Sequence, residues 1–508
     1  MAGACRAEDA ACDGLDKTDI TKRGGCMSPH DDRAKERWIN EGGRVAPDDV
    51  LAREMAAAVN VRRAMATRDH ATARDETQTA AVRRVSKSPS HSRSARPRVV
   101  IAGGGVAGLE TLLALHALAG DRVDVTLVES ELKFVNRSMA VMQPFKGHRV
   151  RGVKMEDIAA EFGARWLRRT LDRVSLEERV AITKDGVKLP YDMLVLAVGA
   201  RRLERSWPSD GQLTFYDGRN GADYRLLLHQ VREGRVGSVA FVRPAGVSWS
   251  LPLYDLALLT AADCAAHGRS AAVELNLVTP EPEPLGIFGR EASAGIRGLL
   301  EDAGVMLHTG SFGVPARPGW LDVSPGDRRI RADRIVTEPH LVGPRLRGVP
   351  CDREGFIPTD RHGRLPGVDG VFAAGDATAF PIKQGGLAAQ QADAVAEVIA
   401  HAAGADIRPQ PFRPILRGTL LTGAAARYLR ADISGGAGDD STISTGALWW
   451  PPNKLCGRYL APYLSSRVDD AADVMPQDED TIAVEVAFDP VEADTRYTLR
   501  ELADLAPH

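Results

Sequence analysis

No stretch of this chain reaches the about eighteen uninterrupted apolar residues that a membrane-spanning helix needs. The opening residues, MAGACRAEDAACDG, carry no apolar core of the kind a secretory signal requires, so a cytoplasmic protein is the expectation. Cysteine is scarce: Cys5, Cys12, Cys26, Cys264, Cys351 and Cys456 are the full set, and none lies in a Cys-x-x-Cys pair. That spacing argues against a disulfide framework and against a zinc site, and no metal is expected. Charge of one sign is also lacking. Sixty-five Lys and Arg face 68 Asp and Glu, a formal net charge of -3, which gives no reason to expect a nucleic-acid partner. What is present is length and apolar content: 508 residues, 44% of them hydrophobic, enough for two or three domains with real cores.

Residues 1–96 read as an arm that does not fold by itself. The segment is rich in Arg, Ala, Asp and Ser, and Trp38 is its only aromatic ring. Such a composition buries too little apolar surface to offset the entropy of ordering the backbone. The run from Ser86 to Pro97 has linker character, and Met27, Met55 and Met65 are alternative starts within the arm.

At Arg98 the pattern changes. Arg98–Ala102 is a short apolar run suited to a buried parallel strand. It leads into Gly103-Gly-Gly-Val106-Ala107-Gly108, with Gly103, Gly105 and Gly108 at the spacing G-x-G-x-x-G. A helix should follow, closed by Gly120, and then a strand over Val123–Val128 that ends at Glu129. Each part has a physical reason. Gly103 allows the tight turn, Gly105 lets a pyrophosphate approach the backbone, and Gly108 lets helix and strand pack closely. The unpaired N–H groups at the helix amino end face the phosphates. Glu129, 21 residues past Gly108, stands where a carboxylate holds ribose hydroxyls. This order predicts a dinucleotide site without choosing between FAD and NAD.

Two later segments make that choice. Tyr191–Ala200 reads as a strand ending in a small-residue turn at Gly199. Gly370–Ala377 reads as a strand ending at Gly375-Asp376, with a helix from Gly385 to about Ala400. Over roughly residues 97–405 these motifs resemble the pyridine nucleotide-disulfide type of flavoprotein, nearest the branch that holds sulfide:quinone oxidoreductases and type II NADH dehydrogenases. The resemblance implies an α/β fold with two Rossmann-like dinucleotide-binding domains and FAD as cofactor. It makes Gly103, Gly105, Val106, Ala107, Gly108, Glu129, Gly199, Gly375, Asp376 and Lys383 the candidate cofactor contacts. Asp376 inherits the ribityl hydrogen bond. Lys383 and Gln384, before the last helix, would border the flavin's pyrimidine edge and are the candidate catalytic pair. The alternative for Lys383 is a solvated loop lysine. Arg137 and Pro144 are further candidates for lining the flavin, or ordinary loop and core residues.

The implied domains are 97–205 and 336–405 as the two halves of the FAD domain, 206–335 as an inserted second nucleotide-binding-like domain, and 406–508 as a small carboxy-terminal cap with an acidic tail. In the insert, Ser238–Val242 and Ala272–Val278 read as parallel strands, but the loop between them, from Arg243 to Pro252, contains only Gly246. That departs from NAD(P)H-using members, so NAD(P)H is kept as one substrate option beside a sulfide-like donor. The flavin-side cysteines of the sulfide-oxidising relatives have no counterpart, and Cys351 is held in reserve as a loop thiol. The helix with Gln390 and Gln391 resembles one that borders the quinone pocket in type II NADH dehydrogenases, but the pair reads rather as exposed helix residues. Trp449-Trp450 and the tyrosines that follow suit either a membrane interface or, preferred, a cap packed on the FAD domain. The expected activity is transfer of electrons from a small-molecule donor to a quinone or other acceptor. The alternative is a flavin-bound redox sensor or silent scaffold. A homodimer contact and a peripheral place at the inner membrane face stay open.

Overall fold

The computed structural model describes residues 96–146, 152–203, 212–215, 221–247, 249–433, 442–449 and 451–467. The expectations for the amino-terminal arm, for Trp450 and for the acidic tail lie outside these residues.

The chain opens with β1 (Arg98–Ala102), α1 (Val106–Ala119), β2 (Asp124–Val128), β3 (Arg165–Leu167) and β4 (Met193–Leu196). All four strands run parallel. Four consecutive residues of β1 and of β2 are buried, because a parallel sheet is covered on both faces. Helix α1 is likewise interior along most of its length, including Glu110 and Thr111. A small antiparallel meander, Leu171–Ser175, Val180–Thr183 and Lys188–Pro190, stands between β3 and β4.

The inserted segment builds a second five-stranded parallel sheet from β5 (Gln212–Thr214), α2 (Gly221–Arg232), β6 (Ser238–Val242), α3 (Leu251–Ala266), β7 (Glu274–Val278), α4 (Arg290–Asp302), β8 (Val305–His308) and β9 (Arg334–Thr337), in the order β5-β9-β6-β7-β8. The two crossings between the sheets run side by side: Arg201–Leu203 pairs antiparallel with His340–Val342. The first sheet is then completed by β10 (Val371–Ala373), giving the order β10-β4-β1-β2-β3, and α5 (Gly385–Ala402) packs against α1. The fold is therefore α/β with two Rossmann-like units.

The cap comprises β11 (Ile415–Leu420), β12 (Arg427–Asp432) and β13 (Thr442–Ser444) in one antiparallel sheet, and α6 (Leu460–Ser465). Packing on the first domain is only half of its arrangement. Leu455, Tyr459, Leu460 and Leu464 join the core of α1 and α5, whereas Leu416, Leu420 and Leu429 join the core of the middle domain. β11 presses so close to that domain that a Cβ on Gly418 would come within 2.7 Å of Leu251 and 2.8 Å of Phe288. A buried ion pair adds a polar link, since Lys454 donates to both Asp255 of α3 and the carbonyl of Thr419. Trp449 is buried, and its indole N–H donates to the Asn453 carbonyl at 3.0 Å. Among the described residues no helix is long and apolar enough to cross a membrane.

Candidate cofactor and substrate site

Strand register places the first site. Ala102 pairs with Val128 and with Leu196, and Leu196 pairs with Ala373, so four strand ends lie in one row. The residues just beyond that row are Gly103, Glu129, Ala197 and Ala374, followed by Gly199 and Gly375-Asp376. Ligands of open parallel sheets bind outside this carboxyl edge. Residues about 270 apart in sequence thus share one rim.

Each glycine of the first turn meets a different constraint. A Cβ on Gly103 (φ +107°) would lie 2.2 Å from the Ala197 oxygen, and one on Gly108 would lie 1.8 Å from the Gly103 oxygen. Gly104, which the x of the spacing motif hides, is equally confined: its Cβ would meet Glu129 Cγ at 2.7 Å. Gly105 alone of the four has nothing within 4 Å. The chain therefore closes around three glycines and leaves an opening at the one where a pyrophosphate would approach, beside the amino end of α1 at Val106 and Ala107. Glu129 is partly buried and braces the turn. Its Oε2 accepts from Gly104 N at 2.6 Å, and its Oε1 accepts from Glu131 N at 2.8 Å.

Across the rim, Gly375 takes φ +78° and lies between Ala107 of α1 and Ala388 of α5. Its N–H donates at 2.7 Å to Gln391, which also receives the Thr378 hydroxyl at 3.4 Å. Gln391 is buried, contrary to its reading as an exposed helix residue, because the Gly-Asp turn needs an acceptor where the helix passes over it. Gln390 is partly buried and pairs with both backbone groups of Ile415 in β11. Asp376 is partly buried and its carboxyl is pushed up by desolvation, with Lys383 opposing.

Lys383 is not a solvated loop lysine. Its ammonium donates to the carbonyls of Thr378 (2.5 Å) and Phe380 (2.7 Å) and stands 3.7 Å from the centroid of the Phe356 ring. Burial lowers it to about 8, against the pull of Asp376, Asp352 and Glu354. Gln384 caps α5: its Oε1 accepts from Leu387 N at 2.8 Å while its Nε2 donates to the Arg417 carbonyl at 3.1 Å. Both ends of that amide hold the helix and the cap together, which makes Gln384 a positioning group. Pro144 is buried, and Phe145 beside it tilts against Tyr224 of the middle domain at 5.6 Å.

A second polar cluster occupies the carboxyl edge of the middle sheet. It contains Arg243 after β6, Thr279 and Glu281 after β7, and Glu338 after β9, with Tyr254 of α3 donating to Glu281 at 2.8 Å. Glu338 is 8% exposed, its Oε2 has no hydrogen-bond partner, and burial pushes it up to about 8 while Arg243 opposes. This acid is not legible in the sequence because its neighbours, Arg243, Glu281 and Asp255, come from two strand ends and a helix. A third buried acid, Glu110 of α1, accepts from Tyr459 N (2.7 Å) and Leu460 N (2.8 Å) beside Asp393 of α5. The thiols of Cys264 and Cys456 are buried and raised, to about 11 and about 12, which disfavours thiolate chemistry. Cys351 is exposed.

Comparison with known proteins agrees with this architecture. The family model described as pyridine nucleotide-disulphide oxidoreductase matches residues 97–397. The ferredoxin reductase component of chlorobenzene dioxygenase from Cupriavidus sp. is 27% identical over 378 residues, 66% of this chain and 86% of that protein. An NADH dehydrogenase-like protein of Mycobacterium tuberculosis is 27% identical over 314 residues, 56% of this chain and 73% of its own. Among solved structures, the sulfide:quinone oxidoreductase of Aquifex aeolicus superposes with a TM-score of 0.63 at 19% identity, covering 68% of this chain and 86% of that one. That likeness is one of fold.

Proposed function

Because the chain belongs to the pyridine nucleotide-disulphide oxidoreductase family, we propose that it is an FAD-dependent oxidoreductase that takes electrons from a soluble donor and passes them to a quinone or another acceptor. The observation that carries this reading is the opening at Gly105, set among three glycines the chain has closed around, on the same rim as Glu129 and Asp376.

Bound there, FAD supplies reversible electron transfer that no side chain provides. The amino end of α1 would take the pyrophosphate and Glu129 the ribose hydroxyls. Asp376 would hold the ribityl chain. By the family's geometry the amino end of α5 would face the pyrimidine edge of the ring. Lys383, held beside Asp376 by two carbonyls and the Phe356 face, adds positive charge on that side. Positive charge and a helix amino end both favour an anionic ring, so with FAD bound these groups would raise its reduction potential. Gln384 keeps that helix end in place through its bond to β11.

The test is turnover by the full chain reconstituted with FAD, with sulfide, NADH and NADPH offered in turn as donors and a short-chain quinone or ferricyanide as acceptor. Many cycles per flavin with at least one donor are expected. A chain that takes up no flavin, or one reduced once that never passes its electrons on, contradicts the proposal.

A further inference from the structure

The middle domain repeats the strand–turn–helix plan of the first, and the two turns differ where a phosphate would lie. In the first domain, residues 103–105 separate β1 from α1, whereas in the middle domain residues 243–250 separate β6 from α3. The longer turn has one glycine. Gly246 takes φ +76°, and a Cβ there would lie 2.9 Å from Cε1 and 3.3 Å from Nδ1 of His340. The same construction on Gly105 meets open space. The imidazole that fills the approach comes from the return crossing His340–Val342, nearly a hundred residues further on.

The helix end behind that turn is also a poor anion site. Pro252, in the first turn of α3, has no N–H to offer. The strand ends beside it carry acids. Glu281 is committed to Tyr254 and Thr279, and Glu338 is buried next to it with one cation, Arg243, in range. The Arg243 guanidinium donates to the Val247 carbonyl within its own turn.

We propose that this edge is closed to a dinucleotide: His340 fills the phosphate approach at Gly246, and Glu338 lies buried at the end of the neighbouring strand β9. The flavin would then receive electrons from a donor other than a pyridine nucleotide held in the middle domain. This donor restriction rests on the FAD reading above, whereas closure of the edge is independent of it.

Two measurements on the full chain test the proposal. Calorimetric titration with ADP-ribose, the portion of NADH such an edge recognises, should give no saturable heat at millimolar ligand. Anaerobic NADH or NADPH should leave the visible flavin band intact while dithionite bleaches it. Saturable binding of ADP-ribose, or saturable bleaching by either nucleotide, overturns the closure. The double substitution His340→Gly with Glu338→Gln should open the edge and tighten ADP-ribose binding by about tenfold or more. A double variant that retains its flavin and its circular dichroism yet binds no better removes His340 from the role assigned to it. If the chain takes up no flavin at all, the FAD reading fails while the ADP-ribose titration still decides the closure.

Discussion

Replacing Glu338 by Gln should change stability by an amount that depends on pH. Glu338 is 8% exposed, and one of its oxygens is without a hydrogen bond. Burial, with Glu281 and Asp255 adding to it and Arg243 opposing, lifts the carboxyl from 4.5 to about 8. The unfolded chain has lost this proton above about 4.5 while the folded chain keeps it until about 8. In that window the native state binds more protons, so stability falls as pH rises. At about 1.36 kcal/mol per pH unit the whole cost approaches about 5 kcal/mol. About 3 kcal/mol of it develops between about pH 5.5 and about pH 8. Glutamine matches the neutral acid in shape and does not ionise. The variant should therefore gain on the wild type by about 3 kcal/mol across that interval. Urea unfolding of both proteins at the two pH values, at equal FAD concentration, reads the difference directly. A gap that stays constant with pH, or that moves toward the wild type, refutes the reasoning about this acid.

Five further substitutions separate the parts of the site. Gly105→Val enters open space and should leave the melting temperature of the apoprotein within about 2 °C while cutting FAD occupancy at least about tenfold, whereas Gly108→Ala meets the Gly103 oxygen and should destabilise the fold by about 1–3 kcal/mol. Glu110→Ala strips the acceptor from two buried N–H groups, so it should cost about 2–4 kcal/mol and expose the segment around Tyr459 to protease. Lys383→Ala should lower the flavin potential by about 20–60 mV, the equivalent of about 1–3 kcal/mol for a two-electron couple, as read by equilibration with redox dyes. Because the Lys383 ammonium loses its proton at about 8, that gap should shrink as pH rises past this point. Lys454→Met leaves Asp255 charged and buried with only the Leu421 N–H, and should cost about 3–5 kcal/mol in chemical unfolding.

The first turn was legible because everything that makes it is contiguous. Apolar residues at 98–102, glycines at fixed steps and an acid at the next strand's end are dictated by sterics within about thirty residues, and the structure returns β1 over Arg98–Ala102 and α1 from Val106. The weak turn of the middle domain was also readable, as a loop with one glycine. Which side chain fills it was not. His340 arrives on a crossing strand whose register with Leu203 is a property of the folded backbone. The same limit hid Glu338, whose neighbours sit on β6 and β7, and Gln391, whose helical spacing is equally compatible with solvent or with the Gly375 turn. The cap followed this pattern too. The split of Leu416 and Leu455 between two cores is not readable from the sequence. Sequence by itself determined the local turns and helix faces, since backbone sterics and apolar period act over neighbouring residues. Tertiary structure alone decided which polar groups lose their water and which partners they find, because that depends on which non-adjacent elements the fold brings together.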